Sequence, residues 1–297
     1  MPETIGFIGL GIMGGPMAHN LIKAGYPLVV LNRHKEVTEE FVALGARAGE
    51  RPKDIAAQSD ILITMLPDSP QVEEVILGPG GVLEGAKKGL VVIDMSTISP
   101  IVTRRLANRL AEQGVALLDA PVSGGDKGAI AGTLSIMVGG DEETFSRCLP
   151  IFEALGKTIV HVGANGAGQV AKACNQIVVA LTIEAVSEAL VLGSQAGVKP
   201  EKILRVLGGG LAANRVMEMR GEGMLTHTFT PGFRIRLHHK DLGIALDTGR
   251  AYGTPLPVTA IVDQMFASLE TRGRGDLDHS ALLMHLEELA GHHIQVE

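Results

Sequence analysis

The segment over residues 4–23 constrains the fold most. A strand-like run at Thr4–Gly9 leads directly into Gly9-Leu-Gly-Ile-Met-Gly14, and a helical pattern follows over Met13–Lys23. This is GxGxxG in the strand–turn–helix order that cradles a dinucleotide pyrophosphate. The first glycine permits a tight turn, the second lets the backbone approach the phosphates, and the third lets the helix pack on the strand. The helix N-terminus adds N–H donors and a positive dipole. The order predicts that the cofactor is bound by Gly9, Leu10, Gly11, Ile12, Met13 and Gly14.

Strand-like and helical segments alternate up to residue 163, which predicts a doubly wound parallel sheet. The candidate strands are Thr4–Gly9, Leu28–Asn32, Ile61–Met65, Val91–Asp94, Ala116–Asp119, Leu134–Val138 and Thr158–Val162. From Ala167 to about Ala196 there is no proline, which predicts one long helix. We therefore expect an α/β Rossmann-type domain over residues 1–163, joined by this helix to an all-helical domain over residues 164–297.

Composition and charge exclude several classes of partner. The net charge of −7 argues against a nucleic-acid binder, which needs a basic footprint. The apolar stretch near Ile177–Ile183 is shorter than a membrane span of about 20 residues, so we expect no membrane partner and a cytoplasmic location. Two cysteines without a CxxC spacing favour a reducing compartment and no disulfide framework.

We expect no metal site. His238-His239 and His292-His293 are adjacent pairs, and neighbouring residues on a helix do not face one site.

The residues after the second strand bear on the choice of cofactor. An enzyme that uses NAD usually places a carboxylate there to hold the ribose 2′-OH, whereas this chain has Asn32-Arg33-His34-Lys35. Arg33 could grip a 2′-phosphate by a bidentate contact. This favours NADP over NAD; the alternative reading of Arg33 and Lys35 is a solvated turn.

A second glycine-rich turn follows the strand that ends at Asp119. Ser123, Gly124 and Gly125 could present a hydroxyl and successive N–H groups to a substrate carboxylate. On these residues alone, a glycine-rich turn with no ligand is an equally good reading.

Two lysines are candidates for chemistry. Lys172 lies early in the long helix among Ala, Val, Cys and Ile, with Asn175 and Gln176 three and four positions further on, on the same face. An apolar setting makes a lysine a better proton donor near neutral pH. Lys240 begins the helical pattern Lys240–Asp247 and could close over the cofactor or the substrate, with the carboxylates of this pattern as helix-start or salt-bridge partners. The competing interpretation of each is an ordinary lysine on a solvated helix face.

Taken together, these elements resemble the β-hydroxyacid dehydrogenase family over essentially the whole chain. The resemblance is carried by the cofactor motif Gly6–Gly14, the substrate motif Asp119–Gly125, GxxGxGxxxKxxN at Gly163–Asn175 and KDLxxAxD at Lys240–Asp247. It implies a Rossmann-type domain plus a helical domain that assembles as a homodimer or homotetramer.

The resemblance also implies residue roles. Lys172 would be the catalytic acid/base, and Ser123, Gly124 and Gly125 would hold the carboxylate of a small aldehyde or hydroxy acid. Asn175 would orient that substrate, and Lys240 would lie near the nicotinamide end of the cofactor. Further cofactor contacts would come from Met65, Leu66, Pro67 and Thr97.

Within the family, three segments look most like the tartronate semialdehyde reductases, namely Gly208–Ala212, Pro231–Leu242 and Asp278–Leu282. Those enzymes commonly carry an acidic residue where this chain has Asn32. The implied activity is NAD(P)H-dependent reduction of tartronate semialdehyde to D-glycerate. The alternatives are a 3-hydroxyisobutyrate dehydrogenase, a reductase for glyoxylate or succinic semialdehyde, and a non-catalytic NADP-binding interaction scaffold.

Overall fold

A computed structural model describes residues 2–295, which form two compact units that divide between Lys172 and Ala173. The first unit contains the strands β1 (Ile5–Ile8), β2 (Leu28–Leu31), β3 (Arg47–Ala48), β4 (Ile61–Thr64), β5 (Val91–Asp94), β6 (Ala116–Asp119), β7 (Val122–Ser123), β8 (Leu134–Gly139) and β9 (Gly156–Gly163). Its helices are α1 (Gly14–Lys23), α2 (Lys35–Ala43), α3 (Pro52–Ala57), α4 (Ser69–Leu77), α5 (Val82–Gly85), α6 (Pro100–Ala111), α7 (Gly125–Ala131) and α8 (Glu142–Leu155).

The helix α9 (Ala167–Gln195) begins in the first unit and continues into the second. The second unit then contains α10 (Pro200–Gly208), α11 (Arg215–Leu225), α12 (Ile235–Tyr252), α13 (Pro257–Leu269), a kinked turn (Glu270–Arg274), a 3₁₀ turn (His279–Ala281) and α14 (Leu282–Ala290). Within residues 173–295 the only β-type pairing is an isolated bridge between Arg234 and Asp278. The predicted architecture, a Rossmann-type α/β domain followed by a helical one and joined by a long helix, is confirmed.

The strands form one sheet in the order β3-β2-β1-β4-β5-β6-β8-β7, with β9 beside β8. From β3 to β6 all neighbours are parallel. Along this half the chain steps outward from β1 to β2 and then returns to place β4 on the other side. Such a switch point leaves a crevice at the carboxyl ends of the strands, where open α/β sheets bind ligands.

The prediction of parallel pairing throughout is wrong beyond β6. The strand β8 runs antiparallel to β6 and β7, with Val122 opposite Ile136 and Ser123 opposite Ser135. The connection from β7 to β8 contains only the short helix α7, and a parallel crossover needs a dozen residues or more. The chain therefore returns in the opposite direction, and parallel pairing resumes between β8 and β9.

Alternation along the strands divides the core of the first unit between the two faces of the sheet. In β1, Ile5 and Phe7 pack into one apolar cluster with Met17 of α1, while Ile8 joins the other with Ile55 of α3. All five side chains are at most 4% exposed. Because successive side chains point to opposite faces, one strand feeds both layers, as a doubly wound sheet requires.

Local signals start several helices where the sequence places an N-cap residue. Asp68 accepts a hydrogen bond from the Ser69 amide at the start of α4, and Ser99 accepts one from the Ile101 amide at the start of α6. Asp141 accepts one from the Thr144 amide, 2.8 Å away, at the start of α8. These side chains satisfy N–H groups that have no partner within the helix.

The second unit is built around the C-terminal part of α9. Ala180, Ile183 and Leu190 are fully buried in its apolar cluster. Judged by length and composition alone, α9 is also apolar enough to cross a membrane, with a mean hydropathy of 1.8 over 18 residues. The apolar part of α9 is therefore longer than the stretch near Ile177–Ile183, on which the expectation of no membrane span was based. One face of the helix lies in the core of the second unit, and 33% of its apolar window is buried there.

Candidate functional site

The glycine-rich loop after β1 has the geometry that its three glycines predict. Gly9 has a φ of +99°, and a side chain there would overlap the carbonyl oxygen of Met65. A side chain at Gly14 would overlap the carbonyl oxygen of Gly9, so the loop and α1 pack closely. In contrast, a Cβ at Gly11 would meet no heavy atom within 4 Å. The loop is thus tight where it turns and open where a phosphate would approach.

A cavity of about 1010 Å³ opens beside this loop. This volume is at the upper end of the usual range for ligand sites. Seven of the predicted cofactor residues line it, namely Gly9, Gly11, Asn32, Arg33, Met65, Leu66 and Pro67. The other predicted cofactor residues, Leu10, Ile12, Met13, Gly14, Thr97 and Lys240, are not among its lining residues. The cavity lies at the carboxyl ends of β1, β2 and β4, at the switch point of the sheet.

Asn32 connects the end of β2 to the glycine-rich loop. Its Oδ1 accepts a hydrogen bond from the Leu10 amide at 3.1 Å, and its Nδ2 donates to the His34 carbonyl oxygen at 3.3 Å. The exposed side chains of Arg33 and Lys35 follow at the start of α2 and line the same cavity. The end of β2 therefore presents a fixed neutral amide and two cations, while the carboxylates at the cavity wall come from other positions, Glu39, Glu50 and Glu74.

A buried polar cluster, which sequence reasoning missed, positions the ends of β4 and β5. Oδ1 of Asp94 accepts hydrogen bonds from the Thr64 hydroxyl at 2.8 Å and from the Ser96 amide at 3.1 Å. The Ser96 hydroxyl in turn accepts a hydrogen bond from the Leu66 amide at 2.9 Å. This hydrogen bond fixes Leu66 and the candidate cofactor residues on either side of it. The available signal was a polar run directly after the buried strand Val91–Asp94.

Titration of Asp94 gives a testable dependence of stability on pH. Burial raises the pKa of its carboxyl from 3.8 to about 6, despite the hydrogen bonds from Ser96 and Thr64. The folded state therefore binds the proton more tightly than the unfolded state does. The resulting stabilisation is complete below pH 3.8 and is lost as the pH rises through about 6.

We expect Asp94→Asn to remove this dependence, because the amide does not ionise. From pH 5 to pH 7.5, the free energy of unfolding of the wild type should fall by about 1–1.5 kcal/mol relative to the variant. Urea unfolding of both proteins at the two pH values measures this difference. A variant whose stability follows the wild type in parallel across this range would refute the assignment.

Asp119 holds the start of the helix that carries Lys172. Its Oδ1 accepts a hydrogen bond from the Gly166 amide at 2.8 Å, and its Oδ2 accepts one from the Gln169 amide at 3.0 Å. A carboxylate at this end of α9 also complements the helix dipole. Burial nevertheless raises the pKa of Asp119 to about 6. The sequence placed Asp119 in the substrate motif, but only the structure shows that it anchors α9.

The side chain of Gln169 connects α9 to the loop after β5. Its Oε1 accepts a hydrogen bond from the Ile98 amide at 3.1 Å, and its Nε2 donates to the Ser96 carbonyl oxygen at 2.8 Å. These two bonds bracket Thr97, one of the predicted cofactor residues. Lys172 follows three positions after Gln169 and is 6% exposed. Gln169 thus fixes the loop of Thr97 against the turn of helix that precedes Lys172.

The predicted substrate loop joins β7 to α7. Ser123 ends β7 and is half-buried, and Gly124 has a φ of +131°, which favours glycine. Gly125 is the first residue of α7. The first amides of a helix have no partner within it and carry a partial positive charge. The three residues therefore lie together at the start of a helix, and their role in holding a substrate carboxylate stays a prediction.

In the second unit, a chain of hydrogen bonds brings Asn175 and Lys240 together. Nδ2 of Asn175 donates to Oε1 of Gln176 at 2.7 Å, and Nε2 of Gln176 donates to Oδ2 of Asp241 at 2.7 Å. The ammonium of Lys240 lies 3.0 Å from Oδ1 of the same carboxylate. Asp241 is 2% exposed. It contacts Lys240 directly and Asn175 through Gln176, whereas the sequence suggested the carboxylates of this segment as helix-start or salt-bridge partners.

Residues 4–163 match the model for the NAD-binding domain of 6-phosphogluconate dehydrogenase, and residues 166–286 match the model described as NAD-binding of NADP-dependent 3-hydroxyisobutyrate dehydrogenase. The chain is 51% identical to the 2-hydroxy-3-oxopropionate reductase of Escherichia coli, covering 97% of this chain and 98% of that protein. It is 43% identical to the 2-(hydroxymethyl)glutarate dehydrogenase of Eubacterium barkeri, covering 97% and 96% of the two chains.

Among solved structures, the 3-hydroxyisobutyrate dehydrogenase of Mycobacterium tuberculosis with L-serine matches with a TM-score of 0.88 and 35% identity, covering 96% of this chain and 99% of the other. The chain belongs to the β-hydroxyacid dehydrogenase family. It is an NAD(P)-dependent oxidoreductase that acts on small hydroxy-acid substrates. The family resemblance drawn from the four motifs is thereby confirmed.

Proposed function

We propose that the protein reduces tartronate semialdehyde (2-hydroxy-3-oxopropanoate) to D-glycerate, with NADPH as the preferred reductant. The observation that carries this proposal is the 51% identity to 2-hydroxy-3-oxopropionate reductase over nearly the full length of both chains. The segments Gly208–Ala212, Pro231–Leu242 and Asp278–Leu282 support the same substrate, because they look most like this branch of the family.

The residues at the switch point of the sheet fit a dinucleotide. Gly11 leaves open space at the centre of the glycine-rich loop, and Met65, Leu66 and Pro67 form another part of the cavity wall. When bound, the reduced nicotinamide supplies a hydride for the carbonyl carbon. The N-terminus of α1 and the loop amides would hold the pyrophosphate. Leu10, Ile12, Met13 and Gly14 belong to this same loop, and we keep Thr97 and Lys240 as proposed contacts of the cofactor.

The preference for NADPH is supported by the end of β2. The position that holds the ribose 2′-OH in NAD enzymes carries the neutral Asn32, whose Oδ1 is already engaged by the Leu10 amide. Arg33 and Lys35 follow on the cavity wall and are exposed. A 2′-phosphate would thus meet two cations here, and the neutral side chain of Asn32 would not repel it.

Substrate binding would use the residues that the family motifs single out. The hydroxyl of Ser123 and the amides of Gly124 and Gly125 would hold the substrate carboxylate, since they lie at a helix start. The side-chain amide of Asn175 would orient the substrate, and Lys240 would add a positive charge. The carboxylate of Asp241 keeps Lys240 in place by a direct ion pair and Asn175 in place through Gln176.

Lys172 is the proposed proton donor. As the carbonyl carbon gains a hydride, negative charge develops on the carbonyl oxygen, and the ammonium of Lys172 donates a proton to that oxygen. The products are the alcohol and a neutral lysine, which regains its proton from solvent. In the oxidative direction the neutral lysine accepts the hydroxyl proton. Burial of Lys172 to 6% exposure keeps bulk water away from this transfer.

We further propose that the protein acts in the cytoplasm as a homodimer or homotetramer. Large apolar side chains are exposed on the helical unit, among them Val178 and Leu192 of α9 at 65% and 71% exposure. A subunit interface would cover such exposed apolar side chains. Light scattering would give the mass of the assembly.

Product identification tests the proposed reaction. Purified protein with NADPH and tartronate semialdehyde should form one D-glycerate per NADPH oxidised, as measured by chiral chromatography and loss of nicotinamide absorbance. Formation of another product, or of L-glycerate, would refute it. The scaffold alternative predicts a different result: NADPH would raise the melting temperature, but no semialdehyde would be reduced.

A further inference from the structure

Three side chains from separate segments of the second unit meet away from the residues discussed above. His227 follows the end of α11, Glu287 lies in α14, and His293 follows Gly291, where α14 ends. Their ligand-type atoms all lie within 4.8 Å of one another. Two imidazoles and one carboxylate thus converge on a single point.

Glu287 has a carboxylate oxygen that lacks a partner. The side chain is 1% exposed. Its Oε1 accepts one hydrogen bond from the Ile294 amide at 2.9 Å and lies 2.8 Å from Nε2 of His227. Its Oε2 is buried, and no donor within residues 2–295 has hydrogen-bonding geometry to it. Nδ1 of His293 lies 3.4 Å from this oxygen. A buried, unsatisfied carboxylate oxygen is costly, and a cation would remove that cost.

The three ligand-type atoms lie close enough together to share one zinc ion. Zn²⁺ binds imidazole nitrogen and carboxylate oxygen at about 2.0–2.2 Å with tetrahedral geometry, which places neighbouring ligand atoms about 3.3 Å apart. Nε2 of His227 lies 2.8 Å from Oε1 of Glu287, and Nδ1 of His293 lies 3.4 Å from Oε2, so each imidazole lies beside one oxygen of the carboxylate. Ca²⁺ and Mg²⁺ prefer oxygen ligands alone, so the two imidazoles favour Zn²⁺ over either.

The backbone holds His293 near its partners independently of a metal. Gly291 ends α14 with a φ of +60°, and the chain turns back so that Ile294 is 3% exposed. His292 is fixed separately, because its Nε2 lies 2.9 Å from the Ser194 hydroxyl. The two neighbouring histidines therefore do different things. The expectation that an adjacent histidine pair cannot form one site does not apply to His293, since its partners come from elsewhere in the chain.

We propose that His227, Glu287 and His293 bind one Zn²⁺ per chain. The ion joins the segment after α14 to the loop after α11 and supplies the partner that Oε2 of Glu287 lacks. Three protein ligands leave a fourth position for water, and the side chain of His293, 72% exposed, leaves the site accessible from solvent.

The test uses the untagged, full-length protein after treatment with a chelator, because a histidine tag would itself bind zinc. Titration with ZnCl₂ against a chromophoric chelator should show one saturable site per chain. His293→Gln and Glu287→Gln should each weaken binding by more than about 10-fold, the range already seen when only a supporting group is lost. His227→Asn should do the same, and asparagine tolerates the φ of +51° at this position.

His292→Gln is the matched control, because it removes the neighbouring imidazole and should leave zinc affinity unchanged. Zn²⁺ should also raise the melting temperature of the wild type and the control, but not that of His293→Gln. If Glu287→Gln does not fold, His293→Gln is the deciding variant, because the His293 side chain is largely exposed and its replacement should not prevent folding. Absence of a saturable site, or equal affinity in the His292 and His293 variants, would overturn the proposal. None of these measurements depends on redox activity.

Discussion

Replacing Lys172 by alanine should lower kcat by roughly 100-fold or more, the range expected for loss of a general acid. The transition state would then develop charge on the carbonyl oxygen with no proton donor nearby. Cofactor binding should persist, because the glycine-rich loop and the cavity beside it are built by residues 8–79 and do not include Lys172. Steady-state kinetics and a titration of NADPH binding measure the two effects separately.

The matched control is Lys157→Ala, which removes an exposed lysine from β9. Its kcat should equal that of the wild type. A Lys172→Ala variant with near-normal turnover would exclude Lys172 as the proton donor. Loss of NADPH binding together with turnover would instead point to a structural role of this buried lysine.

The second large effect concerns the cofactor. Asn32→Asp places a carboxylate where a 2′-phosphate is expected, and the new side chain can still accept the hydrogen bond from the Leu10 amide. Like charges in such a contact cost several kcal/mol, so kcat/KM with NADPH should fall by at least about 100-fold. With NADH the ribose 2′-OH gains an acceptor, and kcat/KM should hold or rise.

Arg33→Gln should also lower kcat/KM with NADPH, because it removes a cation. It should not raise kcat/KM with NADH, because it adds no acceptor for the ribose. Arg109→Gln removes an exposed guanidinium from α6 and is the control. It should leave kcat/KM with both cofactors unchanged. If both cofactors respond equally to Asn32→Asp, the end of β2 does not select between them, and the NADP preference fails.

Much of the first unit could be predicted because its signals are local. The run Val91–Asp94 and the run Ala116–Asp119 form strands with the bounds that the sequence suggested, since β-branched and aliphatic residues there are buried on both faces. The glycine-rich loop follows from steric rules that act over a few residues. By contrast, the direction of β8 depends on the length of the connection through α7, which residue pattern alone does not encode.

The supporting groups of the site could not be predicted in the same way. Gln169 and Asp94 accept hydrogen bonds from Ile98 and Thr64, which are 71 and 30 positions away, and nothing in the immediate sequence of either residue identifies that partner. Asp241 looked like a surface charge at a helix start, yet it is buried and fixes Gln176. Likewise, His293 meets Glu287 and His227 only because Gly291 turns the chain back. Such contacts depend on tertiary packing rather than on periodicity.

The most direct test of the account is a comparison of kcat/KM across substrates and cofactors. Oxidation of NADPH and NADH would be followed with tartronate semialdehyde, succinic semialdehyde, methylmalonic semialdehyde and glyoxylate under identical conditions. The proposed function predicts the highest kcat/KM for tartronate semialdehyde with NADPH. A higher value for another aldehyde with either cofactor would contradict the substrate assignment, and no oxidation with any of the four would contradict the reductase itself.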